Sequence, residues 1–201
     1  MLAEFLADQG DWTPVMPGAR ACLFSLDERP GPLPLQLEHL HFETLFCLRG
    51  SVTLTRQDGS FLKAGAQQVL ILTDLTDLAG VSVDTPLEGV LVAVDARGAR
   101  ESLKSICNLL GGLTLDTGRV RRWMASQGGC AVVGPTHWSR AVFADLDSLP
   151  QSERARWCVW KSVELLYLLS TQEEQERDVP PSPMPDRNLA RPLAETRRYM
   201  E

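Results

Sequence analysis

The amino-acid sequence predicts an α+β fold: an N-terminal antiparallel β-barrel of the jelly-roll kind, followed by a C-terminal helical subdomain. Three observations predict it. Segments with apolar residues at period two recur at regular spacing up to residue 95, as in sandwiches and barrels. Asp58-Gly59 falls between two of them, a strong hairpin signal because both central positions of a type I′ turn need positive φ. From Ala96 onward the apolar spacing becomes helical. The expected division is 1–95 for the barrel, 96–172 for a helical dimerisation subdomain, and 173–201 for a linker and the start of a further domain.

The first residues hold a short amphipathic piece, Leu2, Phe5 and Leu6, and then Trp12 among polar residues and prolines, which reads as an irregular arm across a sheet. Cys22, Phe24 and Leu26 alternate as a strand, and Pro30, Gly31, Pro32 and Pro34 make a loop. In the next strand Leu35, Leu37, His39 and His41 share one face. Thr44, Phe46 and Leu48 then alternate with Leu45 and Cys47, so both faces are apolar and something must pack on each. Gly50 permits a bend or bulge, after which Val52 and Leu54 alternate with Ser51, Thr53 and Thr55 as in a half-buried strand. The chain returns at 61–65, runs through the continuous apolar strand 68–73, and forms strands at 80–83 and 88–95 around the turn Asp84-Thr85-Pro86.

Leu103, Ile106, Leu109 and Leu110 make one face of a first helix, stopped by Gly111-Gly112. A second, over 116–127, carries Val120, Trp123 and Met124 and stops at Gly128-Gly129. After the short apolar run 131–133, Thr136 caps a third helix through Val142, Phe143 and Leu146. Ser152 caps a fourth that runs to about Thr171. Apolar residues from Trp157 to Leu169 occupy nearly its whole circumference, so it must be buried on more than one side. One side packs within the chain; the other needs a partner, most simply the same helix of a second subunit, through Trp157, Trp160, Val163, Leu166, Tyr167 and Leu169. The alternative is a central helix inside a monomer.

Composition narrows the function. The formal net charge of −6 gives no basic face for phosphates, so these residues are not expected to bind nucleic acid by themselves. The five cysteines are scattered without a CxxC pair, against a disulfide framework or zinc knuckle and in favour of a reducing cytoplasm. The longest apolar run is interrupted by Lys161 and Glu164, too short and too charged to cross a membrane, and the first residues lack a basic leader region. No P-loop, Rossmann glycine pattern or nucleophile signature occurs.

FCLRGSVTL (46–54), LKAGAQQVLIL (62–72), PLEGVLVAVD (86–95), WKSVELLYLL (160–169) and LAETRRYME (193–201) together resemble the AraC/XylS family of bacterial transcription regulators. The resemblance implies a cupin-like N-terminal half that binds an effector or mediates dimerisation. It also implies DNA contact through a C-terminal helix-turn-helix domain that this chain lacks. A small-molecule effector would then sit in the barrel against Leu37, His39, Phe46, Leu48, Val52, Leu54, Ile71 and Val92, with the inward parity of the strands left open. The protein would be a homodimer and no enzyme, with no cofactor and no metal. Cupin enzymes carry HxH, a following glutamate and a later glycine. His39, His41, Glu43 and Gly50 approach that pattern with Glu43 too close to His41 and no third histidine in the later motif. A metal-dependent cupin enzyme using His39, His41 and Glu43 is the alternative. Arg49, beside Gly50, is a candidate for pairing with an acidic ligand.

Overall fold

In the computed structural model, residues 2–5, 10–27, 29–31 and 41–171 are described. The frame is a pair of long antiparallel strands, β4 (His41–Arg56) and β7 (Leu78–Asp95), paired from His41↔Asp95 to Arg56↔Leu78. Around them stand α1 (Leu2–Phe5), β1 (Trp12–Met16), β2 (Ala19–Leu26), β3 (Arg29–Gly31), β5 (Phe61–Gly65), β6 (Gln68–Thr73) and β8 (Cys130–Val133). The helices are α2 (Arg100–Leu109), α3 (Thr117–Ser126), α4 (His137–Ser148) and α5 (Gln151–Thr171).

The register of β4 against β7 shifts between Cys47 and Val52, and the eight-stranded sheet folds there into two leaves. The first leaf is β1-β2-β7-β4-β6-β8; the second is carried by the other halves of β4 and β7, flanked by β5 and β3. Gly50 makes the fold, at φ +78 with Pro86 O where a Cβ would stand, 2.1 Å away. Two segments expected as separate strands, 80–83 and 88–95, are one strand bent at the same level, because β7 follows β4 through the bend. Among the described residues β8 pairs only with β6 and β5 only with β4, so the expected barrel is open on that side.

Residues 12–16, expected as an irregular arm, form β1 against β2, closed by a turn with Gly18 at φ +75. The Asp58-Gly59 hairpin is present but is not type I′. Gly59 alone has positive φ, and Asp58 instead accepts a hydrogen bond from Ser60 N at 2.8 Å. Two helices start where their caps predict: for α3 Asp116 accepts from Arg119 N at 2.9 Å, and for α4 Thr136 and Ser139 form a capping box. The fourth does not: α5 begins at Gln151, so Ser152, expected as its cap, lies inside its first turn.

Apolar side chains of the two leaves meet in one core, in which Leu45, Val52, Leu54, Leu70, Leu72 and Leu91 are fully enclosed. The outer face of the first leaf forms a second core with the helices, joining Phe46, Ile71, Val90 and Val92 to Met124, Phe143, Leu146, Cys158 and Leu166. The rings of Phe46 and Phe143 meet edge to face at 6.5 Å. Both faces of the first half of β4 are therefore covered, as its apolar residues require.

Candidate functional site

Gly50 also reverses the parity of β4. Before it, the odd residues Leu45 and Cys47 face the space between the leaves; after it, the even residues Val52 and Leu54 do. Of the side chains expected to line the interior, Val52 and Leu54 lie there. Phe46, Ile71 and Val92 lie on the opposite face, in the core with the helices, and the half-buried Leu48 packs against that core. Within β4 the bulge supplies the reason, since one extra residue moves the following side chains to the other face; Ile71 and Val92 stand opposite Thr44 and so share the face of Phe46. Leu37 and His39 fall outside the described residues.

The carboxylate of Glu43, fully buried, accepts hydrogen bonds from Leu2 N at 3.0 Å and Ala3 N at 3.3 Å, the free amides of α1's first turn. Glu43 thus anchors the N-terminal helix, whose Leu2 and Ala3 enter the core between the leaves. Of the remaining metal-site candidates, His41 opens β4 and His39 lies outside the described residues. Among the described residues no three His, Cys, Asp or Glu side chains are grouped as a metal would need. Burial pushes the Cys47 thiol up to about 12 and raises that of Cys158 as well, which disfavours the thiolate of both at neutral pH. Arg49 is exposed, with Nε 3.7 Å from Glu88 on the neighbouring strand.

The candidate site is a groove of about 840 Å³ along the edge of β8 that no other described strand pairs. Cys130, Ala131, Val132 and Val133 form its floor. Trp123 and Gln127 at the end of α3, Trp138 of α4, and Leu165, Leu168, Leu169 and Thr171 of α5 form the helical wall. Arg56 and Leu62 reach it from the second leaf. The Arg56 guanidinium is held in place: Nη2 donates to Gln127 O at 2.8 Å and to Cys130 Sγ at 3.4 Å. Gly128, at φ +70, lies flat against it, a Cβ there coming within 3.3 Å of Cζ. Gly128 and Gly129, read as helix stops, therefore also bring the chain over Arg56 and into β8. These residues come from separate elements spread between positions 56 and 171, and no local pattern of the sequence unites them.

No family model matches the sequence, and no curated protein matches it. Similar solved structures do exist. One is a lysine-to-alanine variant of apo ToxT from Vibrio cholerae strain SCE256, at 11% identity and a TM-score of 0.45, over 77% of this chain and 58% of that one. ToxT from Vibrio cholerae O395 bound to (E)-4-(8-methylnaphthalen-1-yl)but-3-enoic acid is similar at 12% identity and a TM-score of 0.42, over 75% and 58%. An RmlC-like cupin protein from Desulfovibrio desulfuricans is similar at 12% and 0.35, over 42% and 78%. The matched part of ToxT is about three fifths of that chain.

The side chains expected at a dimer interface are divided by the structure. Val163, Leu166 and Leu169 are buried within the chain, at 7%, 7% and 2% exposure. Trp157 and Tyr167 are half-buried, and Trp160 is 41% exposed. Lys161 Nζ lies 4.7 Å from the centre of the Trp157 ring and 2.7 Å from Glu164. Most of the circumference of α5 is thus covered by the first leaf and the neighbouring helices, leaving one stripe outward. No helix among the described residues is long and apolar enough to cross a membrane.

Proposed function

We propose that this chain is the effector-sensing and dimerisation part of a cytoplasmic transcription regulator of the AraC/XylS type. It works by binding rather than by turnover, and DNA is contacted by a helix-turn-helix unit outside these residues. The observation that carries the reading is the double engagement of α5. Its middle is locked to the sheet, where Ser162 Oγ shares a buried hydrogen bond with Thr44 Oγ1 and donates to Cys158 O. Its last turns, Leu165 to Thr171, form a wall of the groove, and the chain continues from there toward residues 172–201. A ligand shifts an equilibrium only through states it contacts differently. A molecule seated against α5 contacts the element whose position sets where the following segment departs. The stripe of Trp157, Trp160 and Tyr167 is the surface offered to the same helix of a second copy.

Two measurements test the reading. Light scattering of the parent chain gives a dimer, and Trp160→Glu, a change at an exposed position, gives a monomer; a parent chain that is monomeric at all accessible concentrations overturns the dimer. For sensing, DNA affinity of the longer regulator changes when ligand is added. An affinity indifferent to a ligand that demonstrably binds this part overturns the sensor.

A further inference from the structure

We propose that the groove along β8 binds a small organic anion with a flat apolar body, with Arg56 receiving the negative charge. The proposal deepens the sensor reading by placing the effector beside α5 instead of between the two leaves, and its regulatory consequence rests on that reading.

Size, charge and shape point the same way. A volume of about 840 Å³ suits a small molecule, whereas the described side chains that face the space between the leaves pack together in one buried apolar core. The chain carries a net charge of −6, yet the described residues lining the groove include no carboxylate and one cation, Arg56. Arg56 makes no contact ion pair among the described residues; the Asp58 carboxylate of the hairpin acts on it only from farther away. Its Nη2 is committed to Gln127 O and Cys130 Sγ, which fixes the rotamer, and among the described residues Nη1 makes no hydrogen bond and the buried Nε has no partner. A guanidinium fixed in advance in apolar surroundings attracts an anion more strongly than a solvated one does, and loses less freedom on binding. The indoles of Trp123 and Trp138 and the side chain of Leu168 give flat apolar walls.

The test uses two fluorescent probes with the same ring system, 1-anilinonaphthalene-8-sulfonate and the uncharged N-phenyl-1-naphthylamine, titrated into the 201-residue chain at low salt. The sulfonate is expected to bind at least about tenfold more tightly than the neutral amine. Arg56→Met is expected to remove that preference while leaving the neutral probe within about twofold. Thr171→Glu, which sets a carboxylate on the groove wall at an exposed position, is expected to weaken the sulfonate alone, and it decides the matter should Arg56→Met fail to fold. Equal affinity for the two probes in the parent chain, or a sulfonate preference that survives both substitutions, overturns the proposal. Binding here without any effect on DNA affinity of the longer regulator leaves the groove standing and sinks the sensor.

Discussion

Replacing Gly50 with alanine attacks the bend on which the two-leaf architecture turns. At φ +78 an L-residue costs about 1–2 kcal/mol relative to the right-handed regions. The new methyl would also stand 2.1 Å from Pro86 O, 2.8 Å from Pro86 C and 2.9 Å from Leu87 Cα, all atoms of a paired strand that cannot swing away as a side-chain end can. Relief requires moving β7 against β4, an overpacking cost of about 1–3 kcal/mol. The expected loss is about 2–5 kcal/mol, a large share of the roughly 5–15 kcal/mol that holds a domain together. In a chain of this size it lowers Tm by about 2–4 °C per kcal/mol. Gly59 is the control: it has φ +82 and nothing within 4 Å of the place a methyl would take, so Gly59→Ala carries the conformational cost alone. Urea unfolding of the two variants side by side isolates the steric part. If Gly50→Ala is no worse than Gly59→Ala, the close approach of Pro86 is not what holds the bend.

Three further outcomes are expected. Thr44→Val or Ser162→Ala alone leaves a buried hydroxyl short of its partner and costs about 1–3 kcal/mol, whereas the double variant costs less than the two together; additive losses in urea unfolding would show that the hydroxyls do not share a bond. The Asp84 carboxyl is held below its ordinary value of 3.8, chiefly by the hydrogen bond from Thr53 Oγ1 at 2.7 Å and further by Lys63 and Ser82. A depressed folded-state pKa contributes stability above the ordinary carboxyl value and loses it as pH falls through the folded value, so Asp84→Asn costs about 1 kcal/mol near neutral pH and nothing once both forms are protonated. A penalty that persists in acid contradicts this. Phe46→Ala, at a position with no exposure, destabilises by about 3–5 kcal/mol and loosens sheet and helices together; near-native stability would remove Phe46 from the second core.

The elements were largely legible because their patterns are local. Alternation marks β2 and the second half of β4, and helical spacing with caps at Asp116 and Thr136 marks α3 and α4. Which face of a strand turns inward was not legible. In the first half of β4 Phe46 and Leu45 are equally apolar neighbours, and only the long-range pairing with β7 and β6 shows which meets the helices. A single bulge at Gly50 then makes the parity read from one half wrong for the other, as the placements of Phe46 and Val52 show. The groove was less legible still. Arg56 ends a strand and Gln127 ends a helix, and nothing in either segment announces that Nη2 of the one meets the carbonyl of the other.

The all-round apolar surface of α5 bears on the dimer in a way the sequence pattern alone does not reveal. Val159, Leu165, Leu166 and Leu169 are consumed within the chain, so the pattern that suggests a partner is satisfied mostly by the sheet. What remains outward is Trp160 at 41% exposure and Leu168 at 36%, with Trp157 and Tyr167 half-buried. A stable interface covers roughly 800 Å² on each partner. One helical stripe with a single well-exposed indole falls short of that area. A dimer centred on Trp160 must therefore draw on surface beyond α5, and Trp160→Glu acts by placing a charge at its centre, not by removing most of its area. Substitutions at Leu166 or Leu169 would instead open the chain's own core, and a monomer obtained that way would say nothing about the interface.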